Sequence, residues 1–74
     1  MDTELPHPTT APRLLRLPDV LERVGLRRSR LYDLVADGRF PTPVKLGDRA
    51  VAWPADEVDD WIRAKIRERD EASP

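Results

Sequence analysis

The chain has 74 residues, which is long enough for one small domain. It has no cysteine and one histidine, which excludes a disulfide framework and a Cys/His zinc site. No apolar run approaches the roughly 20 residues of a membrane span, and the proline-bearing start lacks the apolar centre of a signal peptide. The net charge of −1 is unevenly distributed: nine basic and five acidic residues give 13–49 a charge of +4, whereas four basic and seven acidic residues give 50–74 a charge of −3. The basic middle can steer the chain to a polyanion although the whole protein is nearly neutral.

The composition predicts a short tail before a single folded domain. Residues 1–12 contain three of the eight prolines and few apolar side chains, so we predict a disordered tail there. We expect the folded domain over 13–69 and a frayed C-terminus over 70–74. Residues 13–17 form a short apolar and basic lead-in, for which an extended conformation is one option.

The stretch 17–38 has the pattern of two short helices joined by a glycine. Pro18 suits the first position of a helix, and the acidic residue after it favours the positive helix end, which predicts a first helix over 18–24. Gly25 follows and can adopt a left-handed conformation, so the chain can turn sharply there. This arrangement predicts a helix-turn-helix.

The second helix is predicted over 28–37, with Gly38 ending it. Its apolar residues follow the i, i+3, i+4 spacing of one helix face and are Leu31, Leu34 and Val35. Arg27 stands at the position where Ser, Thr, Asp or Asn would make the best N-cap. We therefore expect a weakly capped start to this helix.

The segment 44–53 has the pattern of a β-hairpin. Val44 and Leu46 alternate with Lys45, as in a half-buried strand, and a glycine–aspartate pair opens the turn, whose tip we place at 47–49. Because an isolated hairpin is only marginally stable, it must pack on the helices.

Pro54 is predicted to open a last helix, because acidic residues crowd its first turns and basic residues follow near its end. One apolar stripe runs along it and consists of Val58, Trp61, Ile62 and Ile66. Trp53 and Trp61 both fall in apolar patterns, so we assign them to the core rather than to base stacking. The acidic residues of 56–60 are compatible with metal binding or acid–base chemistry, but their favourable interaction with the positive end of the helix explains them better. Fraying is expected from Glu68.

The order helix, turn, helix, hairpin, helix predicts an α+β fold. With that order, the sequence resembles the AlpA family of small phage-type transcriptional regulators, within the wider group of MerR-like winged helices and excisionases. The matching segments are Leu14-Leu15-Arg16-Leu17-Pro18-Asp19-Val20, Val24-Gly25-Leu26, Ser29-Arg30-Leu31-Tyr32, Gly38-Arg39-Phe40-Pro41, Pro43-Val44-Lys45-Leu46-Gly47, Ala52-Trp53, and Val58, Trp61 and Ile62. The resemblance implies a small winged helix-turn-helix that binds DNA. It also implies that helix 28–37 enters the major groove, while hairpin 44–53 is a wing against the backbone or minor groove. The chain departs from the family at Arg27, where a small hydroxyl residue is usual.

The candidate DNA-binding residues are the polar side chains of the second helix and the wing: Arg27, Arg28, Ser29, Arg30, Tyr32, Asp33, Lys45 and Arg49. Arginine presents a planar fork of donors that fits phosphate, or guanine O6 and N7. Tyr32 can contact a thymine methyl group, or it is a half-buried packing residue. Asp33 can accept from cytosine or orient an arginine. By composition alone, such a run of arginines is more often a solvated face.

We therefore predict a sequence-specific DNA-binding protein, either a transcriptional regulator or an excisionase of a phage-like or integrative element. Its expected partners are double-stranded DNA, further copies on repeated sites and, in the excisionase role, an integrase. The alternative is a protein–protein interaction module on the same scaffold. An enzyme is the least supported reading, because there is no cysteine nucleophile and no phosphate-binding glycine loop. We expect no cofactor, no metal, and a location in the bacterial cytoplasm, at the nucleoid when bound.

Overall fold

A computed structural model describes residues 12–72 of the chain. Within these residues the elements in chain order are β1 (Leu14–Arg16), α1 (Leu17–Val24), α2 (Arg28–Ala36), β2 (Val44–Lys45), β3 (Val51–Pro54) and α3 (Ala55–Ala72). The strands form one antiparallel sheet in the order β1-β3-β2. The predicted α+β fold with a helix-turn-helix, a hairpin wing and a C-terminal helix is confirmed. The tail predicted over 1–12 lies outside the described residues, apart from Pro12.

Strand β1 has the extended conformation that is one option for the lead-in, but its pairing as a third strand of the sheet is not predicted by the sequence pattern. Leu14, Leu15 and Arg16 pair with Pro54, Trp53 and Ala52 of β3. Leu15 is buried in the core, and the Arg16 Nε donates a hydrogen bond to the Val51 carbonyl at 3.1 Å. A strand of three residues is too short to show a periodic pattern, and its partner lies far along the chain, so the lead-in alone gave no signal for the pairing.

The predicted turn between the first two helices is confirmed. Gly25 has a φ of 70°, and its N–H donates to the Leu21 carbonyl at 2.8 Å. The left-handed conformation ends α1 and redirects the chain toward α2. Val20 of α1 and Leu31 of α2 are both fully buried, so the two helices share one core. Helix α1 begins at Leu17, one residue before the predicted start.

Gly38 ends α2 as predicted, although the helix itself stops at Ala36 rather than at residue 37. Its φ is 73°, its N–H donates to the Val35 carbonyl at 3.0 Å, and the Arg39 N–H donates to the Leu34 carbonyl at 2.8 Å. This pair of bonds is the Schellman motif, which satisfies carbonyls that the end of a helix leaves without partners.

The segment that follows α2 is fixed by three aromatic rings. Phe40 is buried, and its ring meets Trp61 edge-on at a centroid distance of 4.9 Å and Trp53 at 6.4 Å. The Trp53 Nε1 donates to the Pro41 carbonyl and the Trp61 Nε1 to the Arg39 carbonyl, each at 2.8 Å. Trp53 is fully buried and Trp61 packs half-buried against the core, so their assignment to the core is confirmed. These contacts hold the end of α2 against β3 and α3.

Helix α3 differs from its prediction at both ends. Pro54 belongs to β3, opposite Leu14, and the helix begins at Ala55. The helix continues to Ala72, past the residue where fraying is expected, and an ion pair one turn apart between Lys65 and Glu68 supports this last part.

The apolar stripe of α3 is only partly buried. Val58 is fully buried, and Trp61 and Ile62 pack against the core, as predicted. Ile66 is 46% exposed, because α3 is longer than the body of the domain and every residue from Lys65 to Ala72 is exposed.

The hairpin of β2 and β3 is confirmed, with the predicted tip at residues 47–49. The half-buried character predicted for β2 is wrong, since Val44 is 42% and Leu46 is 48% exposed. Lys45 pairs with Val51 and therefore shares the face of the sheet that carries Trp53. Val44 pairs with Ala52 and therefore lies on the other face of the sheet.

Candidate nucleic-acid interface

Helix α2 exposes one polar face. Leu31 and Leu34 are buried, so the positions on the opposite side of the helix, Ser29 and Asp33, form the centre of the outward face. Helical spacing then places Arg28 and Tyr32 on one flank of that face and Arg30 on the other. All five of these side chains are exposed, so the structure brings this part of the candidate set together on one surface.

The start of α2 combines unpaired donors with positive charge. Arg27 occupies the N-cap position with φ −83° and ψ 160°, and its side chain makes no capping hydrogen bond. Its carbonyl accepts the Leu31 N–H at 3.0 Å, which leaves the N–H groups of the first helical turn without intrahelical acceptors. Exposed guanidinium groups on Arg27, Arg28 and Arg30 surround this positive helix end. Such an arrangement attracts anions.

Tyr32 also has a structural contact. Its ring centroid lies 6.2 Å from that of Trp53, with the planes tilted by 56°, and 36% of the residue remains exposed. The packing role weighed for this tyrosine is therefore observed. Contact with DNA is compatible with the exposed part and stays a prediction.

The strand register places Lys45 on the side of the sheet that faces α2, but it does not assign a side to Arg49. Lys45 lies on the sheet face that carries Trp53, and the Trp53 ring touches Tyr32 of α2. The backbone of Lys45 thus directs its side chain to the side of the sheet on which α2 packs. Arg49 lies in the exposed turn beyond the paired residues, so the strand register does not assign it to either face.

The cations of this surface form no ion pair with any acid of residues 12–72. The ion pairs within residues 12–72 are Arg23–Asp59, Arg63–Asp60 and Lys65–Glu68 at 3.3 Å, and Arg69–Asp70 at 2.8 Å. Each of them includes a residue of α3. Five candidate cations form no ion pair with any described residue: Arg27, Arg28, Arg30, Lys45 and Arg49. The positive charge of these five side chains is therefore not neutralised by an ion pair within residues 12–72.

Arg39 is a further exposed cation that the sequence reasoning did not select. It directly follows the end of α2, and its backbone is held by the Leu34 carbonyl on one side and the Trp61 indole on the other. Its place in the Gly-Arg-Phe-Pro segment was visible in the sequence. The sequence did not show that the aromatic contacts fix the backbone of this arginine beside the end of α2.

The described part of the chain has neither a cluster of metal-ligating side chains nor a membrane-spanning helix. Residues 12–72 bring together no three His, Cys, Asp or Glu side chains that could hold a metal ion. Asp59 and Asp60, from the acidic start of α3, instead pair with Arg23 and Arg63. None of the helices over these residues has the length and apolar character needed to cross a membrane.

Comparison with known proteins gives one family and several relatives. The family model described as "Prophage CP4-57 regulatory protein (AlpA)" matches residues 13–66. Uncharacterized protein ORF88 of Enterobacteria phage P4 is 43% identical over 60 residues, covering 81% of this chain and 68% of that protein. The DNA-binding transcriptional activator AlpA of Escherichia coli (strain K12) is 33% identical over 64 residues, covering 78% of this chain and 91% of that protein. An excisionase of Streptomyces ambofaciens is 37% identical over 60 residues, covering 81% of this chain and 94% of that protein. No solved structure gives a significant match.

Proposed function

Because the chain belongs to the AlpA family of prophage regulatory proteins, we propose that it binds double-stranded DNA in a sequence-specific manner. In this role it is a transcriptional regulator or an excisionase of a phage-like or integrative element. The observation that carries the proposal is the group of cations on α2 and the hairpin without ion-pair partners in residues 12–72. One relative is described as a DNA-binding transcriptional activator and another as an excisionase, which supports both forms. The role needs no cofactor and no chemical step.

In the proposed complex, the exposed face of α2 lies in the major groove. Ser29 and Asp33, at the centre of that face, are positioned for base edges, and Asp33 can accept from cytosine N4. Arg28 and Arg30 flank them, and each can bind guanine bidentately or contact phosphate. Tyr32 reaches a thymine methyl group or a phosphate with the part that Trp53 leaves exposed.

The wing and the start of α2 contact the DNA backbone in this proposal. Lys45 and Arg49 bind phosphates or enter the adjacent minor groove, as a wing beside a recognition helix would. Arg27 and the open N–H groups of the first turn of α2 receive one phosphate. That phosphate takes the place of the missing cap, so DNA orders the start of α2. Equal amide-exchange protection of this turn in the free and bound states would contradict this part.

A single copy is expected to bind weakly. One small DNA-binding module buries only about 600–1,000 Å² of protein surface on DNA. We propose cooperative binding of several copies on repeated sites, and contact with an integrase in the excisionase form. The protein acts on DNA in the bacterial cytoplasm.

The proposal is tested by titrating labelled DNA with the full chain. The DNA comes from the control region of its own gene and from the attachment region of its element, with scrambled DNA as the reference. The variant R28A/R30A should lower specific affinity by about 30-fold or more, since a base-contacting arginine contributes about 1–3 kcal/mol. The matched control R63A/R67A removes the same charge from α3 and should bind nearly as the wild type does.

Two results would contradict DNA binding. One is the absence of binding to any fragment, and the other is binding that does not weaken as salt rises, because phosphate contacts release counterions. Either result would favour the protein-interaction alternative. Preference for the attachment region, with excision that requires the protein, distinguishes the excisionase from the regulator.

A further inference from the structure

An open groove of about 300 Å³ lies between the end of α1 and the second half of α3. Its apolar lining consists of Val24, Trp61, Ile62 and Ile66. Its charged lining consists of Arg23, Lys65 and Arg69. No carboxylate of residues 12–72 lines it, and none of the candidate DNA-binding residues does so. We call this surface the α1–α3 groove.

The apolar lining continues beyond what the domain buries. Ile62 packs against the core, but Ile66, one turn later, is 46% exposed. A single exposed isoleucine is ordinary, whereas here it extends an apolar strip in a concave surface. The strip therefore leaves apolar surface area in solvent that a bound partner can bury.

Each cation of the groove already forms an exposed ion pair with an acid outside the lining, and for Arg69 this acid is Asp70 at 2.8 Å. Arg23 pairs with Asp59 at 3.3 Å, and its side chain remains 40% exposed. Lys65 pairs with Glu68 at 3.3 Å and lies 5.5 Å from the Trp61 ring centroid. Exposed pairs of this kind contribute little to stability, so carboxylates of a bound partner can replace Asp59 and Glu68 at small cost.

We propose that the α1–α3 groove binds an acidic, amphipathic helical segment of a partner protein. The lining from Trp61 to Arg69 extends over about 12 Å of α3, which is two helical turns and fits apolar anchors spaced i and i+4 on the partner. The partner's carboxylates meet the cations beside those anchors. The proposal concerns a surface separate from the DNA-contacting one and does not depend on the proposed function.

A second copy of the chain fits the groove less well. The acids at the start of α3, Asp56, Glu57 and Asp60, lie beside no exposed large apolar side chain. Near the exposed Ile66, Glu68 and Asp70 already pair with Lys65 and Arg69, so a second copy brings the same cations to the groove. The exposed large apolar residues of 12–72 other than Ile66 are Leu14, Tyr32, Val44 and Leu46, none of them on that helix. The partner must offer acid and apolar side chains together.

The experiment uses a fluorescein-labelled, 16-residue helical peptide with leucines on one face and glutamates beside them. Its binding to the full-length chain is followed by anisotropy. We expect saturable binding that I66E and K65E each weaken about tenfold or more. The control R67E changes the same charge as K65E on the same helix, outside the lining, and should leave affinity within about twofold. A peptide with glutamine in place of glutamate should bind weakly.

Three results would overturn the proposal. Equal losses in K65E and R67E would mean attraction to net charge alone. The binding site is located by NMR chemical-shift changes of backbone amides on addition of the peptide. Changes on α2, rather than at Val24, Ile62 and Ile66, would mean that the peptide binds the basic surface of α2. Self-association of the free chain that I66E abolishes would assign the groove to a second copy. Far-UV circular dichroism verifies the fold of I66E, whose DNA binding should match that of the wild type.

Discussion

Helices α2 and α3 differ in what surrounds their charged side chains. Helix α3 has Asp56 and Glu57 in its first turn and Arg69 in its last, and it carries ion pairs along its length. Helix α2 has no acidic residue in its first turn, no basic residue in its last and no side-chain cap. Its arginines point to solvent without acidic partners among residues 12–72.

The difference shows that the two helices are stabilised in different ways. The acidic start and the basic end of α3 interact favourably with the helix dipole, and oppositely charged side chains pair along the helix. Its exposed end therefore remains helical. The charges of α2 form no ion pair within residues 12–72, so the free helix depends on its buried leucines and on the aromatic contacts at its end. A helix that the core fixes in place, and that carries exposed cations unpaired within residues 12–72, is suited to binding a polyanion.

The aromatic contacts should have the largest effect on stability. We expect Phe40→Ala to lower the free energy of unfolding by about 3–5 kcal/mol, because it leaves a cavity between Trp53 and Trp61. Urea denaturation followed by far-UV circular dichroism measures this loss. Ile66→Ala, on the exposed end of α3, should stay within about 0.5 kcal/mol of the wild type. Similar losses in the two variants would mean that the aromatic rings do not hold α2.

The end of α2 gives the next largest effect. Gly38→Ala should cost about 1–2 kcal/mol, because the residue must keep a φ of 73° that alanine disfavours, while its Cβ would meet nothing within 4 Å. Gly47→Ala in the hairpin turn is the matched control, since it is equally open and has no left-handed φ. Thermal denaturation should separate the two variants. A Gly47 variant as unstable as the Gly38 variant would refute the backbone explanation.

The start of α2 gives an effect of opposite sign on stability and on binding. Arg27→Ser supplies the missing N-cap and should stabilise the free protein by about 1 kcal/mol, while it weakens DNA binding by removing a cation. Arg27→Ala should weaken binding equally and leave stability nearly unchanged. Denaturation and DNA titration of both variants test this. If Arg27→Ser binds DNA as tightly as the wild type, Arg27 contacts no phosphate.

The smallest effect concerns the ion pairs of α3. Glu68→Gln should lower stability by about 0.3–0.5 kcal/mol through loss of its pair with Lys65, and the loss should vanish in high salt. Asp33→Asn on α2 should change the stability of the free protein less, because Asp33 has no ion pair within residues 12–72. Thermal unfolding at low and high salt measures both. A larger effect at Asp33 would contradict the distinction between the helices.

Local signals predict the parts of the fold that depend on neighbouring residues. The glycines that end α1 and α2, the spacing of Leu31 and Leu34, and the hairpin turn all follow from the sequence. The extended conformation of the lead-in is one option from the sequence, but the partner of β1 could not be predicted, because its three residues pair with a strand reached only after two helices. The exposure of Val44 and Ile66 was also missed, since hydrophobic spacing identifies an apolar face but not how far the core extends beneath it.

The candidate interface also has features that the sequence predicts and features that it does not. Helical spacing predicts which α2 residues face outward, and the structure places Arg28, Ser29, Arg30 and Asp33 in solvent. The contact of Tyr32 with Trp53 and the fixed position of Arg39 depend on tertiary packing, which no local pattern reports. Which bases these side chains contact stays a prediction.

The contact between Tyr32 and Trp53 has a consequence for how the binding specificity of such proteins can change. Arg28, Ser29 and Asp33 are exposed and belong neither to the buried core nor to the apolar residues packed against it, so we expect substitutions there to leave the fold intact. Tyr32 belongs to the outward surface and also rests on the central tryptophan. If these side chains contact DNA as proposed, we expect a new sequence preference to arise more readily at the first three positions than at Tyr32, where a substitution also removes the contact with Trp53.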